Sequence, residues 1–221
     1  MKKKSIIIII SCVIASLMLV IFTPFVVLGI RTDNLKSDYD YLKSDAQYSS
    51  KVEVKGLSLV TQHISCGYAT IEMLSTYYGN KVSEDDLSEK NNGRISTSSS
   101  NGFLKEINES IPTQKFEKYT YLKNDELLKQ IHGALENNNP VAIEWAAPYE
   151  GEWTLHFSVV TGLDIKNDQV VIYNPYGKIE SISVNEFISR TSFEAYKNIP
   201  LFLNFGFAFG AFDKNTIFQT I

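Results

Sequence analysis

Cysteine is nearly absent from this 221-residue chain; there are two, Cys12 and Cys66. One lies inside a long apolar run and the other far beyond it, so no disulfide framework holds the fold and no thiol cluster offers a zinc site. Histidine is equally scarce. His63, His132 and His156 form no i, i+4 pair, and the carboxylates follow no calcium-loop spacing, so no metal is expected. No glycine-rich phosphate cradle leads a helix, because Gly206 and Gly210 alternate with phenylalanine. No cofactor is expected either. A basic excess is missing too: formal charge is −4, and setting aside Lys2, Lys3 and Lys4 leaves 18 basic against 25 acidic residues, or −7. That balance argues against nucleic acid as a partner. No internal repeat is visible.

What is present begins with 26 uncharged residues, Ser5 to Ile30. The run exceeds both the roughly 20 residues that cross a bilayer and the 7–15 or so of a secretory core. A retained membrane anchor is the expectation. The lysines ahead of it put the N-terminus in the cytoplasm and the C-terminal domain outside, on the extracellular face of the cell membrane. Cleavage after Val27-Leu28-Gly29, giving a secreted product, is the alternative. A lipoprotein box at Ile9–Cys12 is disfavoured because the apolar run continues past Cys12. The chain thus divides into a cytoplasmic tail (1–4), a transmembrane anchor (5–30), a polar linker (31–55) and one folded domain (56–221).

Within that domain helical signals come first. Ile71, Leu74 and Tyr78 share a face of a helix opening at Cys66, and Gly79 suits its end. VSEDDLSEK reads as a short acidic helix, residues 91–102 as a loop, and FLKEINES as a brief helix. Residues 124–138 read as a helix with Asn124 as N-cap. Leu57–Val60 reads as strand-like and QKFEKYTYL as a weak strand. The pattern then changes: residues 140–146, 156–164, 169–175 and 178–184 read as strands parted by turn signals, and Ser183 with Glu186 as a capping box. The tail, residues 200–212, alternates large and small residues and is expected to be a strand rather than a membrane contact. Helices followed by antiparallel strands give an α+β class.

Cys66 is the residue most suggestive of chemistry. A helix N-terminus stabilises a thiolate, and Gly67 keeps the backbone thin where a substrate carbonyl approaches. The backbone N–H of Cys66 suits an oxyanion. Of the histidines, His156 is the best base, at the start of a strand. Asn174, ending the next strand, is placed to orient it. Each residue has a plainer reading: a core thiol, a satisfied strand histidine and an ordinary Asn-Pro turn. Trp145, Trp153 and Tyr149 are either packing residues or walls of a peptide groove.

The segments SCGYATIEMLSTYYG, NPVAIEW, HFSVVTGLD and VVIYNPYG resemble the papain-like cysteine peptidases of family 39, the double-glycine leader peptidases and their stand-alone relatives. The resemblance covers about residues 57–185. It implies a papain-like fold, with N-terminal helices packed on an antiparallel sheet. It makes Cys66 the nucleophile, His156 the base, Asn174 the orienting group and Gln62 the side-chain oxyanion donor. Two features depart from the family: Asn174 stands where Asp is frequent, and three residues rather than five separate Gln62 from Cys66. The expectation is therefore a membrane-anchored thiol peptidase, monomeric, acting on a peptide or protein substrate through an acyl-enzyme. Two alternatives are acyl or peptidyl transfer by the same thioester, and an inactive surface binding or immunity module.

Overall fold

The computed structural model describes residues 3–221, with side chains described from residue 10. Met1 and Lys2, half of the expected cytoplasmic tail, lie outside the described residues. The apolar run forms one helix, α1 (Lys3–Asp33), whose most apolar 18 residues within Ile10–Asp33 have a mean hydropathy of 2.6 and are not buried against protein. Such a helix is long and apolar enough to cross a bilayer, which suggests a single-pass anchor.

The rest is α+β. A seven-stranded antiparallel sheet runs in the order β2 (Phe116–Tyr119), β7 (Thr216–Thr220), β3 (Val141–Tyr149), β4 (Glu152–Asp164), β5 (Gln169–Asn174) and β6 (Lys178–Ile182). A two-residue β1 (Val52–Glu53) adds to β4. Helices cover both faces. On one, α2 (Cys66–Tyr77), α3 (Glu84–Lys90) and α4 (Ser100–Ser110) bury Tyr68, Ile71, Leu74, Phe103 and Ile107 against Phe157, Val159 and Phe218. On the other, α5 (Asn124–Glu136) and α6 (Val184–Thr191) bury Leu128, Ile131 and Phe187 against Ile143, Trp145 and Ile172. Apolar burial on two faces explains why β3 is an almost unbroken apolar run.

Several local readings change. The expected linker, residues 31–55, packs on the domain: Leu35, Leu42, Val52 and Val54 are buried around a 3-10 turn at Asp40–Lys43. Leu57–Val60 pairs with no strand. Ser100–Gly102 belong to α4, because Ser99 caps that helix by accepting the Gly102 N–H at 3.1 Å. Asn124 is the first helical residue of α5 rather than its cap, which is Lys123; its side chain instead accepts from Asn215 at 3.1 Å. Ser183 caps α6 by accepting the Glu186 N–H at 3.1 Å.

The largest correction concerns the tail. Leu201–Ala208 is a helix, α7, and the last sheet strand is β7 beyond it. Large–small alternation in this stretch conceals an i, i+4 pair, Leu203 and Phe207, which buries against Phe193 and Tyr196. Gly206 is required there, since a Cβ would strike the Phe212 ring at 2.3 Å.

Candidate active site

Cys66 opens α2 because Ser65, in extended backbone, caps the helix by accepting the Tyr68 N–H at 3.2 Å. The loop before it is wrapped around one carboxylate. Glu84, fully buried, accepts the backbone N–H groups of His63 at 3.0 Å, Ile64 at 2.9 Å and Ser65 at 2.9 Å. Successive N–H groups converging on one anion form a nest. The three-residue spacing from Gln62 to Cys66 thus has its own internal anchor. Gly67 is required by packing: a Cβ there would lie 2.3 Å from the Thr97 hydroxyl.

Cys66 is half-buried as a residue. Burial among apolar neighbours pushes its thiol up to about 11, against the opposing pull of the Phe157, Gly67 and Cys66 backbone N–H groups. Phe157 directly follows His156 on β4, so the thiol lies beside the strand segment that carries the imidazole.

His156 is fully buried, and the β3–β4 register sets it opposite Trp145 on the α5–α6 face. Its Nε2 lies 2.8 Å from Asn174 Oδ1. The same Oδ1 accepts the Tyr176 N–H at 2.8 Å, and Asn174 Nδ2 donates to Glu180. These contacts fix which end of the amide faces the ring. Nε2 is therefore the protonated nitrogen and donates, which leaves Nδ1 as the acceptor. Nδ1 is buried without a hydrogen-bond partner. Burial lowers His156 to about 4, outweighing Asn174 and Glu180, which favour the charged ring. At neutral pH the pair is a thiol and a neutral imidazole.

Tyr176 covers the ring, stacked at 3.9 Å between centroids, with its hydroxyl 2.8 Å from Thr154. Burial raises the Tyr176 phenol, against the opposing pull of its hydrogen bond with Thr154. Tyr149 in turn packs on Tyr176 at 4.6 Å, whereas Trp145 is a core residue donating to Ser158 at 3.0 Å.

Behind Asn174 stands a set of residues that sequence reading missed. Glu180 receives Arg190 at 3.1 Å and Lys178 at 3.4 Å. Burial works to raise Glu180, yet Asn174, Lys178 and Arg190 together bring it below its ordinary value. Arg190 lies over Trp145 at 5.0 Å and Trp153 at 5.6 Å. The signal for Glu180 was available: it shares a sheet face with Ile172 and Ile182, where period-two alternation calls for an apolar residue.

Gln62 donates its backbone N–H to Pro175 O at 2.8 Å, which holds it beside the Asn174 turn. Its Oε1 is buried without a partner. His63 turns outward to Glu84 and Asp85, each at 3.1 Å. His132 sits in the core near Ser50 O, at 3.3 Å.

No curated protein matches the chain. Solved structures similar to it include the following two. One is a double glycine motif protease from an AMS/PCAT transporter in complex with the leader peptide, 16% identical, with a TM-score of 0.49 over 76% of this chain and 94% of that one. The other is the peptidase domain of Streptococcus ComA, a bi-functional ABC transporter involved in quorum sensing, 18% identical, with a TM-score of 0.48 over 75% and 98%. The profile of the Peptidase_C39 like family matches residues 54–200, which span α2 through α6 and every residue of the candidate site, and the chain belongs to that family.

Proposed function

We propose that this protein is a membrane-anchored thiol peptidase using Cys66, His156, Asn174 and Gln62. The observation that carries the reading is the state of His156. Asn174 occupies Nε2, and Nδ1 keeps a free lone pair with no hydrogen bond to Cys66 or any other group, on the residue directly before Phe157, whose backbone N–H meets the thiol. Nδ1 takes the thiol proton as sulfur bonds to the peptide carbonyl carbon. The imidazolium then protonates the leaving amine as the C–N bond breaks, giving an acyl-thioester. Water, losing a proton to Nδ1, releases the acid and restores the thiol. The Cys66 N–H and the Gln62 amide are the donors for the oxyanion. The lysines ahead of the apolar run, Lys2 to Lys4, favour an extracellular domain, so the substrate is a peptide or protein at the cell surface.

The thiol raised to about 11 also favours a second reading, a binding module with an inert cysteine. Turnover separates the two. The full chain in detergent or nanodiscs, given a peptide library that includes Gly-Gly sequences, is expected to cleave a subset. Cys66→Ala and His156→Ala are each expected to lose at least about 10³-fold in kcat/KM. Cleavage that persists in Cys66→Ala sinks the peptidase reading.

A further inference from the structure

We propose that α7 is a second membrane contact, lying in the lipid interface beside the anchor with its free face in the acyl chains. This rests on reading α1 as a membrane span. Along α7, Leu203 and Phe207 are buried in the domain, while Leu201, Phe202 and Phe205, with Phe209 just beyond, point outward. At 100° per residue these four fall within one arc of the helix, opposite the buried pair. Leu201 and Phe202 are 71% and 68% exposed, and the helix carries no charge. A continuous apolar face of this kind marks an interaction surface.

The occupant is identified by where the face sits. Phe25 of α1 packs edge-on against Phe205 at 5.1 Å and Phe209 at 6.2 Å between centroids. Phe25 lies five residues inside the outer end of the apolar run at Ile30, roughly 7 Å of helix rise. A bilayer thick enough to cover the run therefore reaches the level of α7. An interfacial helix buries its apolar face about 5–10 Å into the headgroup and acyl boundary, which is that depth. The exposed faces of α1 and α7 thus form one lipid-facing band. Through Phe193 and Tyr196 the buried side of α7 joins Ala146 and Trp153, on the strands next to His156. Contact at α7 would fix the candidate site at a set height above the lipid.

Depth-sensitive spin labelling tests this with the full chain in nanodiscs of phosphatidylcholine and phosphatidylglycerol. Single labels go at Leu19→Cys in α1, Phe202→Cys or Leu201→Cys in α7, and Glu89→Cys as an aqueous reference, all in a Cys12→Ser, Cys66→Ala background. The expected result is oxygen accessibility above that of a soluble nickel complex at 19, 202 and 201, and the reverse at 89. Labels at 202 and 201 that read aqueous while 19 reads lipid overturn the proposal and leave the anchor intact. An aqueous reading at 19 removes the anchor and the proposal together. Dipolar broadening between labels at 202, with no lipid exposure, assigns the face to a second copy and also overturns it.

Discussion

The two sides of the candidate site are each held by a carboxylate, and the two carboxylates work differently. On the thiol side Glu84 is fully buried and gathers three backbone N–H groups; its one ionic neighbour is the outward-facing His63. On the imidazole side Glu180 binds a side-chain amide and two cations, Arg190 and Lys178. The first positions main chain and the second positions a side chain. Main chain set by a nest has little freedom, so the thiol side is rigid by construction. The amide of Asn174 has a rotatable χ2, and its direction depends on Glu180 and the Tyr176 N–H. Geometry at the thiol side is therefore tied to fold stability, and geometry at the imidazole side to ring orientation.

Substitutions at the two carboxylates sharpen that difference. Glu84→Ala strips the acceptor from three N–H groups, two of them next to a capped helix start. The expected loss is about 3 kcal/mol of unfolding free energy, since each unpaired buried donor costs about 1–3 kcal/mol and loop relaxation recovers part. Urea denaturation measures it, and a loss below about 1 kcal/mol would show that the nest is not what holds the loop. Glu180→Ala is expected to cost less, about 2 kcal/mol, because Arg190 keeps Glu186 and its two indole rings. It should instead fall hardest on turnover, with kcat down about tenfold and KM little changed, as Asn174 loses one of the partners that aim it. Equal effects of the two substitutions on stability and on kcat would erase the distinction.

The same contrast governs how much the sequence disclosed. The elements that carry Cys66, His156 and Asn174 were legible from a helix start, a strand pattern and an Asn-Pro turn, although β4 begins at Glu152, so His156 lies inside its strand rather than at the start of it. The four core strands were legible because alternation and turn residues bracket them. Glu84 was hidden, since an acid in the first turn of a short helix is ordinary there and its loop partners are twenty residues away. β7 was hidden behind α7, whose eight residues satisfy a period of two and a spacing of four at once; tertiary burial of Leu203 and Phe207 decides between them. The packing of residues 31–55 was hidden because Leu35 and Leu42 are isolated apolar residues in a polar stretch, and isolated residues carry no period.

The smallest expected effect tests whether the imidazole side holds a neutral ring despite the charge on Glu180. Burial lowers His156 to about 4, whereas a histidine in the unfolded chain titrates near 6.5. Between these values the unfolded chain carries a proton that the folded one does not. Stability from His156 is thus complete above about pH 6.5 and is lost as pH falls through the window. From pH 7.5 to 5.5 the loss amounts to about 1 kcal/mol. Glu144 runs the other way. Burial raises it to about 8, outweighing the hydrogen bond from Ser100 at 2.5 Å, which favours the charged form, so its contribution grows as pH falls. The bare pH profile of the wild type therefore mixes two opposing trends, and a difference is needed. His156→Gln keeps Glu144 and removes the ring, so the stability gap between wild type and variant isolates the histidine. That gap should shift against the wild type by about 1 kcal/mol between pH 7.5 and 5.5, read from urea midpoints at each pH. A gap that instead shifts toward the wild type would mean that Glu180 stabilises a charged ring, and the imidazole side would then rest on an ion pair with the ring itself.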